Sequence, residues 1–171
     1  ENIYVKGAGF FDISLGRVQK INARNLVLEA GKRGGIYIGG CYYTNFDGII
    51  AYDTVGEPGL APPEGHGVVL GDGGSKHNLV NIITYNNVYG GLSIDSINTV
   101  NITNLYCWDE YVGIRFIGSP KMVRIMNFEI WIKDDTSKGI EFDLQTDETM
   151  AAISLENGTI GCLGGSFGTA I

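Results

Sequence analysis

Hydrophobic and polar residues alternate along this chain in short bursts rather than at helical spacing. In "GLSID" (91–95), "GIRFI" (113–117) and "GIEFD" (139–143) the apolar positions are Leu92 and Ile94, Ile114 and Phe116, and Ile140 and Phe142. In "VNITNLYCW" (100–108) and "VRIMNFEIW" (123–131) the pattern opens with Val100 and Ile102, and with Val123 and Ile125. Alternation of period two over about four to eight residues marks a half-buried strand. No stretch keeps apolar residues at helical spacing for three turns. The pattern predicts many short strands, each with one apolar face directed inward.

The strands repeat. "VNITNLYCW" and "VRIMNFEIW" begin 23 residues apart and share Val first, Ile third, Asn fifth and Trp ninth. An Asn closing a short apolar run recurs in "INARNLVLE" (21–29), "CYYTNFDG" (41–48) and "ISLENGTIG" (153–161). A second phrase, Gly followed by Ile, Val or Leu, opens "GIYI" at 35, "GIIAY" at 48, "GVVLG" at 67, "GLSID" at 91, "GIRFI" at 113 and "GIEFD" at 139. A unit of twenty-odd residues cannot bury its apolar face alone, so such units stack into a solenoid. The Leu-x-x-Leu-x-Leu pattern of leucine-rich repeats is absent. Equivalent inward residues are expected to stack from one coil to the next, with Asn at the corners, a conformation its side chain tolerates. Three segments break the period and are expected to be thrown out as loops: "DTVGEPGLAPPEGH" (53–66), "WIKDDTSK" (131–138) and "LQTDETMA" (144–151). The first holds three of the four prolines, which cannot donate to a strand ladder.

These residues resemble a right-handed parallel β-helix of the pectate-lyase-like kind, where Asn stacked at coil corners is a known feature. The chain is similar in character to the β-helical bodies of bacteriophage tailspikes and tail appendages. The resemblance covers roughly residues 18–161, about seven coils. It implies an all-β fold, a homotrimer, and recognition of host cell-surface polysaccharide from a virion tail, with a secreted protein as the alternative.

Composition agrees. With 171 residues, 44% hydrophobic and 18% charged, the chain supports one domain with a real core. It carries 26 Gly, 13 Asn and 21 Ile, the residues of corners and pleated strands. A net charge of −7 without a basic cluster argues against nucleic acid, and against strongly anionic glycans unless a cation bridges. No apolar run approaches the roughly 18 residues of a membrane helix. The chain starts with Glu1, and the expectation is a single β-helix domain over residues 1–171, cut from a longer chain. Cys41, Cys107 and Cys162 are odd in number and widely spaced, which predicts buried free thiols rather than a disulfide framework or zinc site. No motif implies a metal or cofactor.

Alternation also assigns the outward residues. Ser93, Arg115 and Glu141 should form one column, and Asp95, Ile117 and Asp143 another. Neighbouring strands lie about 4.8 Å apart, which puts Asp95 and Asp143 roughly 9–10 Å apart. That is near the separation of about 6.5–9.5 Å for an inverting pair of glycosidase carboxylates. Asp95, Glu141 and Asp143 are the catalytic candidates, and a solvated ion-paired face is the plain alternative. With Val100 and Val123 inward, Trp108 and Trp131 point outward and stack, with Tyr106 and Glu129 beside them. Two exposed indoles suit the C–H faces of sugar rings or a subunit contact. Tyr106, Trp108, Glu129, Trp131 and Arg115 are thus the candidate substrate-binding residues.

"EGHGVV" (64–69) resembles the Gly-His-Gly signature of polygalacturonases through His66. "NFDGI" (45–49) resembles their catalytic Asp segment through Asp47, and "GIRF" (113–116) their Arg segment through Arg115. The paired aspartates of that family do not lie between Asp47 and His66, and no Lys follows Arg115, so the acid and base of that reaction are incomplete. His77, in "GGSKHNL", is expected in a loop.

Overall fold

A computed structural model describes residues 2–56, 65–143 and 152–164, and these form thirteen strands and no helix. They are β1 (Ile3–Lys6), β2 (Phe11–Gly16), β3 (Gln19–Glu29), β4 (Gly34–Gly39), β5 (Tyr42–Tyr52), β6 (His66–Gly71) and β7 (Ser75–Tyr85). Then follow β8 (Gly90–Asp95), β9 (Val100–Glu110), β10 (Val112–Ile117), β11 (Val123–Ile132), β12 (Lys138–Asp143) and β13 (Ile153–Cys162). The odd strands make a seven-stranded sheet in chain order, and the even strands make a six-stranded sheet in chain order. Every pairing is parallel. The chain passes from one sheet to the other and back, an arrangement consistent with a parallel β-solenoid. No helix of the described residues is long and apolar enough to cross a membrane.

Inward residues stack as columns between the sheets, with Leu92, Ile102, Ile114 and Ile125 among them as alternation predicts. Phe46, Leu79, Ile102, Ile125 and Leu155 lie in register across the odd strands. Ile36, Val68, Leu92 and Ile114 do so across the even ones. Apart from Phe46, at 2%, and the half-buried Leu155 on edge strand β13, none of these side chains retains solvent exposure. Each fully buried aliphatic contributes about 1.5–3 kcal/mol. Phe142 departs from the expected burial. It stacks on Phe116 with ring centroids 5.0 Å apart, yet it is 49% exposed because β12 is the edge of its sheet.

The odd strands from β3 onward run to ten or eleven residues, and each bends near its middle at a left-handed residue. That position holds Asn25, Gly48, Asn81, Asn104, Asn127 and Asn157, with φ between 53° and 79°. A Cβ in this region is costly, and Asn and Gly tolerate it best. Four of the expected Asn corners are therefore observed, at Asn25, Asn104, Asn127 and Asn157. Two expectations are corrected. Asn45 is extended and exposed, and the bend of β5 falls three residues later, at Gly48. "GIIAY" is accordingly the second half of β5 and not the start of an even strand.

The recurring Gly of the even strands answers to close packing. A Cβ at Gly91 would lie 2.4 Å from Thr84 Oγ1 and 2.8 Å from Cys107 Sγ, and one at Gly113 would lie 2.3 Å from Ile130 Cγ2. Side chains of the odd strands fill the space a larger residue would need. Between β11 and β12 only a turn remains of the expected "WIKDDTSK" loop: Trp131 and Ile132 belong to β11, and Asp134 accepts from Thr136 and Ser137. The "LQTDETMA" loop and most of the proline-rich one lie outside the described residues.

Candidate functional site: a groove between an amide ladder and an aromatic column

Beyond each bend, the odd strands present two outward positions. The first is Ile50, Ile83, Tyr106 and Glu129 in successive strands, and the second is Tyr52, Tyr85, Trp108 and Trp131. Trp108 and Trp131 are direct partners in the β9–β11 pairing, their centroids 5.6 Å apart and planes inclined at 46°. Tyr52 and Tyr85 stack at 4.6 Å with planes 8° apart, and Tyr106 lies parallel to Trp108 at 6.0 Å. Trp108 is the most open of the column at 39% exposure. Trp131 is half-buried, lies over Gly161, and donates its indole N–H to Glu129 Oε1 at 2.5 Å.

The bend residues form the other wall. Asn127 Nδ2 donates to Asn104 Oδ1 (3.3 Å), Asn104 Nδ2 to Asn81 Oδ1 (2.9 Å), and Asn81 Nδ2 to Asp47 Oδ1 (2.9 Å). Gly48 interrupts the amides, and Asp47 substitutes as acceptor. Asn25 and Asn2 continue the row at the far end with a bond of 2.9 Å. Beside this ladder runs a groove of about 590 Å³, floored by Ile83, Tyr106 and Glu129 and edged by Asn81, Asn104, Asn127 and Asn157. Trp108 adjoins it through its parallel contact with Tyr106. Its floor is chiefly apolar and its rim carries amides, the composition that sugar rings match with their C–H faces and hydroxyls.

Sequence reasoning missed Tyr52 and Tyr85. Both sit four residues after a bend, as Trp108 and Trp131 do, but their bends at Gly48 and Asn81 open phrases that look unlike the other two. Counting from the left-handed residue, not from the Asn phrase, would have found them.

The even strands hold the carboxylate candidates. Asp95, Ile117 and Asp143 are in register, and so are Ser93, Arg115 and Glu141. Ser93 is fully buried, which corrects its expected solvent exposure. Arg115 Nη2 lies 2.5 Å from Asp143 Oδ2, and its Nε lies 3.3 Å from Glu141 Oε2. Lys138 Nζ contacts Glu141 as well. Two of the three catalytic candidates are thus held in one ion-pair network around Arg115, while Asp95 is half-buried one strand beyond Ile117. Arg115 lies in the even-stranded sheet and pairs with Glu141 and Asp143, so it does not join Tyr106, Trp108, Glu129 and Trp131 of the odd-stranded sheet.

The residues of the Gly-His-Gly resemblance are not brought together. His66 is fully buried at the start of β6, its ring against Gly90. Asp47 is exposed on β5, in the other sheet, where it accepts from Asn81. His77 is corrected from loop to core. It lies within β7, fully buried, with Nδ1 2.7 Å from Thr44 Oγ1. Burial lowers its pKa to about 4.

A buried polar stack was also missed. Two residues after Tyr52, Tyr85 and Trp108 stand Thr54, Asn87 and Glu110, all buried. Glu110 accepts from the Asn87 backbone N–H (3.0 Å) and from Asn87 Nδ2 (2.8 Å), while the Thr54 backbone N–H donates to Asn87 Oδ1 (3.3 Å). Burial raises the Glu110 pKa to about 8 against these hydrogen bonds. Its neighbour Cys107 is a free buried thiol whose pKa burial also raises, as Cys41 is a free buried thiol elsewhere in the core.

Compared with protein-family models, curated proteins and solved structures, the chain matches none.

Proposed function

We propose that the protein is a right-handed parallel β-helix of about seven coils, built in the pectate-lyase-like manner, that recognises host cell-surface polysaccharide as a tailspike-like module of a bacteriophage tail. The observation that carries this reading is the groove along the asparagine ladder, floored by Tyr106 and flanked by Trp108, which lies parallel to Tyr106, and by Trp131, which is bonded to Glu129 of the floor. An apolar floor bordered by amides and aromatic rings binds sugars by stacking on ring C–H groups and by hydrogen bonds to hydroxyls. Assembly as a homotrimer belongs to the same proposal and would protect the edge strands β1, β2, β12 and β13 from stray pairing.

The catalytic alternative, a glycoside hydrolase or lyase acting through Asp95, Glu141 and Asp143, has less support. Arg115 bridges two of those carboxylates in an ion-pair network, which leaves neither of them free to act as acid or base. The test of the binding reading is retention of the protein on immobilised bacterial surface polysaccharides, compared with Trp108→Ala. Retention that the substitution abolishes supports it, and retention unchanged by it moves the site elsewhere. Release of reducing ends from a retained polysaccharide would favour the catalytic alternative. Sedimentation equilibrium tests the trimer, and a monomer at micromolar concentration would contradict it for this chain.

A further inference from the structure

Resting on the reading of the groove as a glycan site, we infer that its ligand is an uncharged polysaccharide lying along the stacking direction of the strands, contacted once per strand by the asparagine row and the aromatic column. The groove is made from the same position of successive strands: Ile83, Tyr106 and Glu129 are register partners across β7, β9 and β11. Neighbouring strands lie about 4.8 Å apart, close to the advance of a glycan chain per sugar ring. A chain along this axis meets a further asparagine of the row at each step, whereas a single sugar meets only one.

The donors recur at the same interval. Asn104 and Asn127 each give one amide hydrogen to the preceding Asn, which leaves the other hydrogen of each Nδ2 for a ligand. A row of identical donors suits a polymer whose hydroxyl or ring oxygens repeat with each residue. Charge selects among such polymers. No Lys or Arg lines the groove among the described residues, and its one carboxylate, Glu129, faces the ligand side beside Trp131. A uronate or sulfate placed there would meet a like charge and no cation, on a chain of net charge −7.

The experiment uses the whole chain and a panel of neutral and acidic bacterial surface polysaccharides, followed by oligosaccharides prepared from whichever polymer binds. Binding confined to neutral polymers is expected, with affinity rising at least about tenfold from the disaccharide to the tetrasaccharide as further strands are engaged. Asn104→Asp keeps a residue that tolerates the left-handed bend and replaces a donor with a negative charge. It should weaken tetrasaccharide binding by about tenfold or more. Equal or tighter binding of acidic chains, or a monosaccharide that binds as tightly as the tetrasaccharide, overturns this inference while leaving a glycan site in place. Binding of no polysaccharide at all removes the glycan reading itself, and this inference with it.

Discussion

Trp108 sits in register on Trp131, yet the two indoles differ in what their N–H groups do. The Trp131 N–H is held by Glu129 at 2.5 Å, while Trp108 Nε1 meets no acceptor among the described residues. Trp131 is thereby fixed in orientation over Gly161, and Trp108 is left with a free donor and the larger exposure. The pair is a rigid ring beside one that can still hydrogen-bond to a ligand.

It follows that Trp108→Ala and Trp131→Ala should each remove about 1–3 kcal/mol of glycan affinity through lost stacking and buried area. Both rings lie outside the core columns, so the circular dichroism spectrum should not change. Calorimetric titration with the bound polysaccharide measures the loss. Full affinity in both variants would place the site elsewhere.

The asparagine ladder should be separable into its two components. Asn104→Gly loses the hydrogen bonds to Asn81 and Asn127 but suits φ 59°, whereas Asn104→Ala loses them and also places a plain Cβ in the left-handed region. The Ala variant is expected to be less stable than the Gly variant by about 1–2 kcal/mol. Urea unfolding compares them, and an Ala variant as stable as the Gly variant would contradict the strained bend.

The core columns predict a larger effect. Ile125 has no exposure and lies between Ile102 and Leu155. Ile125→Ala should cost about 2–5 kcal/mol. Ile125→Asp should prevent folding, because an unpaired charge would enter the apolar stack. Folded, native-like Ile125→Asp protein would mean that the inward face is wrongly assigned.

Stability should depend on pH from both sides of neutrality. The folded pKa of Glu110 is raised from 4.5 to about 8, so its contribution is full below the lower value and is lost as pH rises through the higher one. His77 acts in the opposite direction. Its folded pKa is lowered from 6.5 to about 4, so stability falls as pH drops through that interval. Melting temperature should therefore decline between about pH 6.5 and 8, and Glu110→Gln should flatten this alkaline-side limb. An unchanged alkaline limb in that variant would show that Glu110 does not cause it.

Much of the fold was legible because parallel stacking makes sequence spacing into spatial register. The 23-residue interval between Val100 and Val123 is the pairing of β9 with β11, and it carries through to Trp108 and Trp131. The outward direction of both indoles followed from alternation across one Asn bend. What failed had local causes. Gly replaces Asn at residue 48, so Asn45 looked like the corner and Tyr52 lost its place in the count. Alternation says which way a residue points but not what covers it, so Ser93 looked solvated. Glu110 follows Asp109 and reads as surface charge, because its burial depends on the amide of Asn87 one strand away. Phe142 reads as core because alternation cannot tell an edge strand from a central one.

The most direct test of the groove uses its own fluorescence, since Trp108 and Trp131 are the chain's two tryptophans. Acrylamide quenching would be measured for the whole chain with and without a bound neutral polysaccharide. The predicted result is ready quenching of the free protein, through exposed Trp108, and clear protection with a shift in emission on binding. Quenching and emission that stay the same while the polysaccharide demonstrably binds would contradict the assignment of the aromatic column as the glycan site.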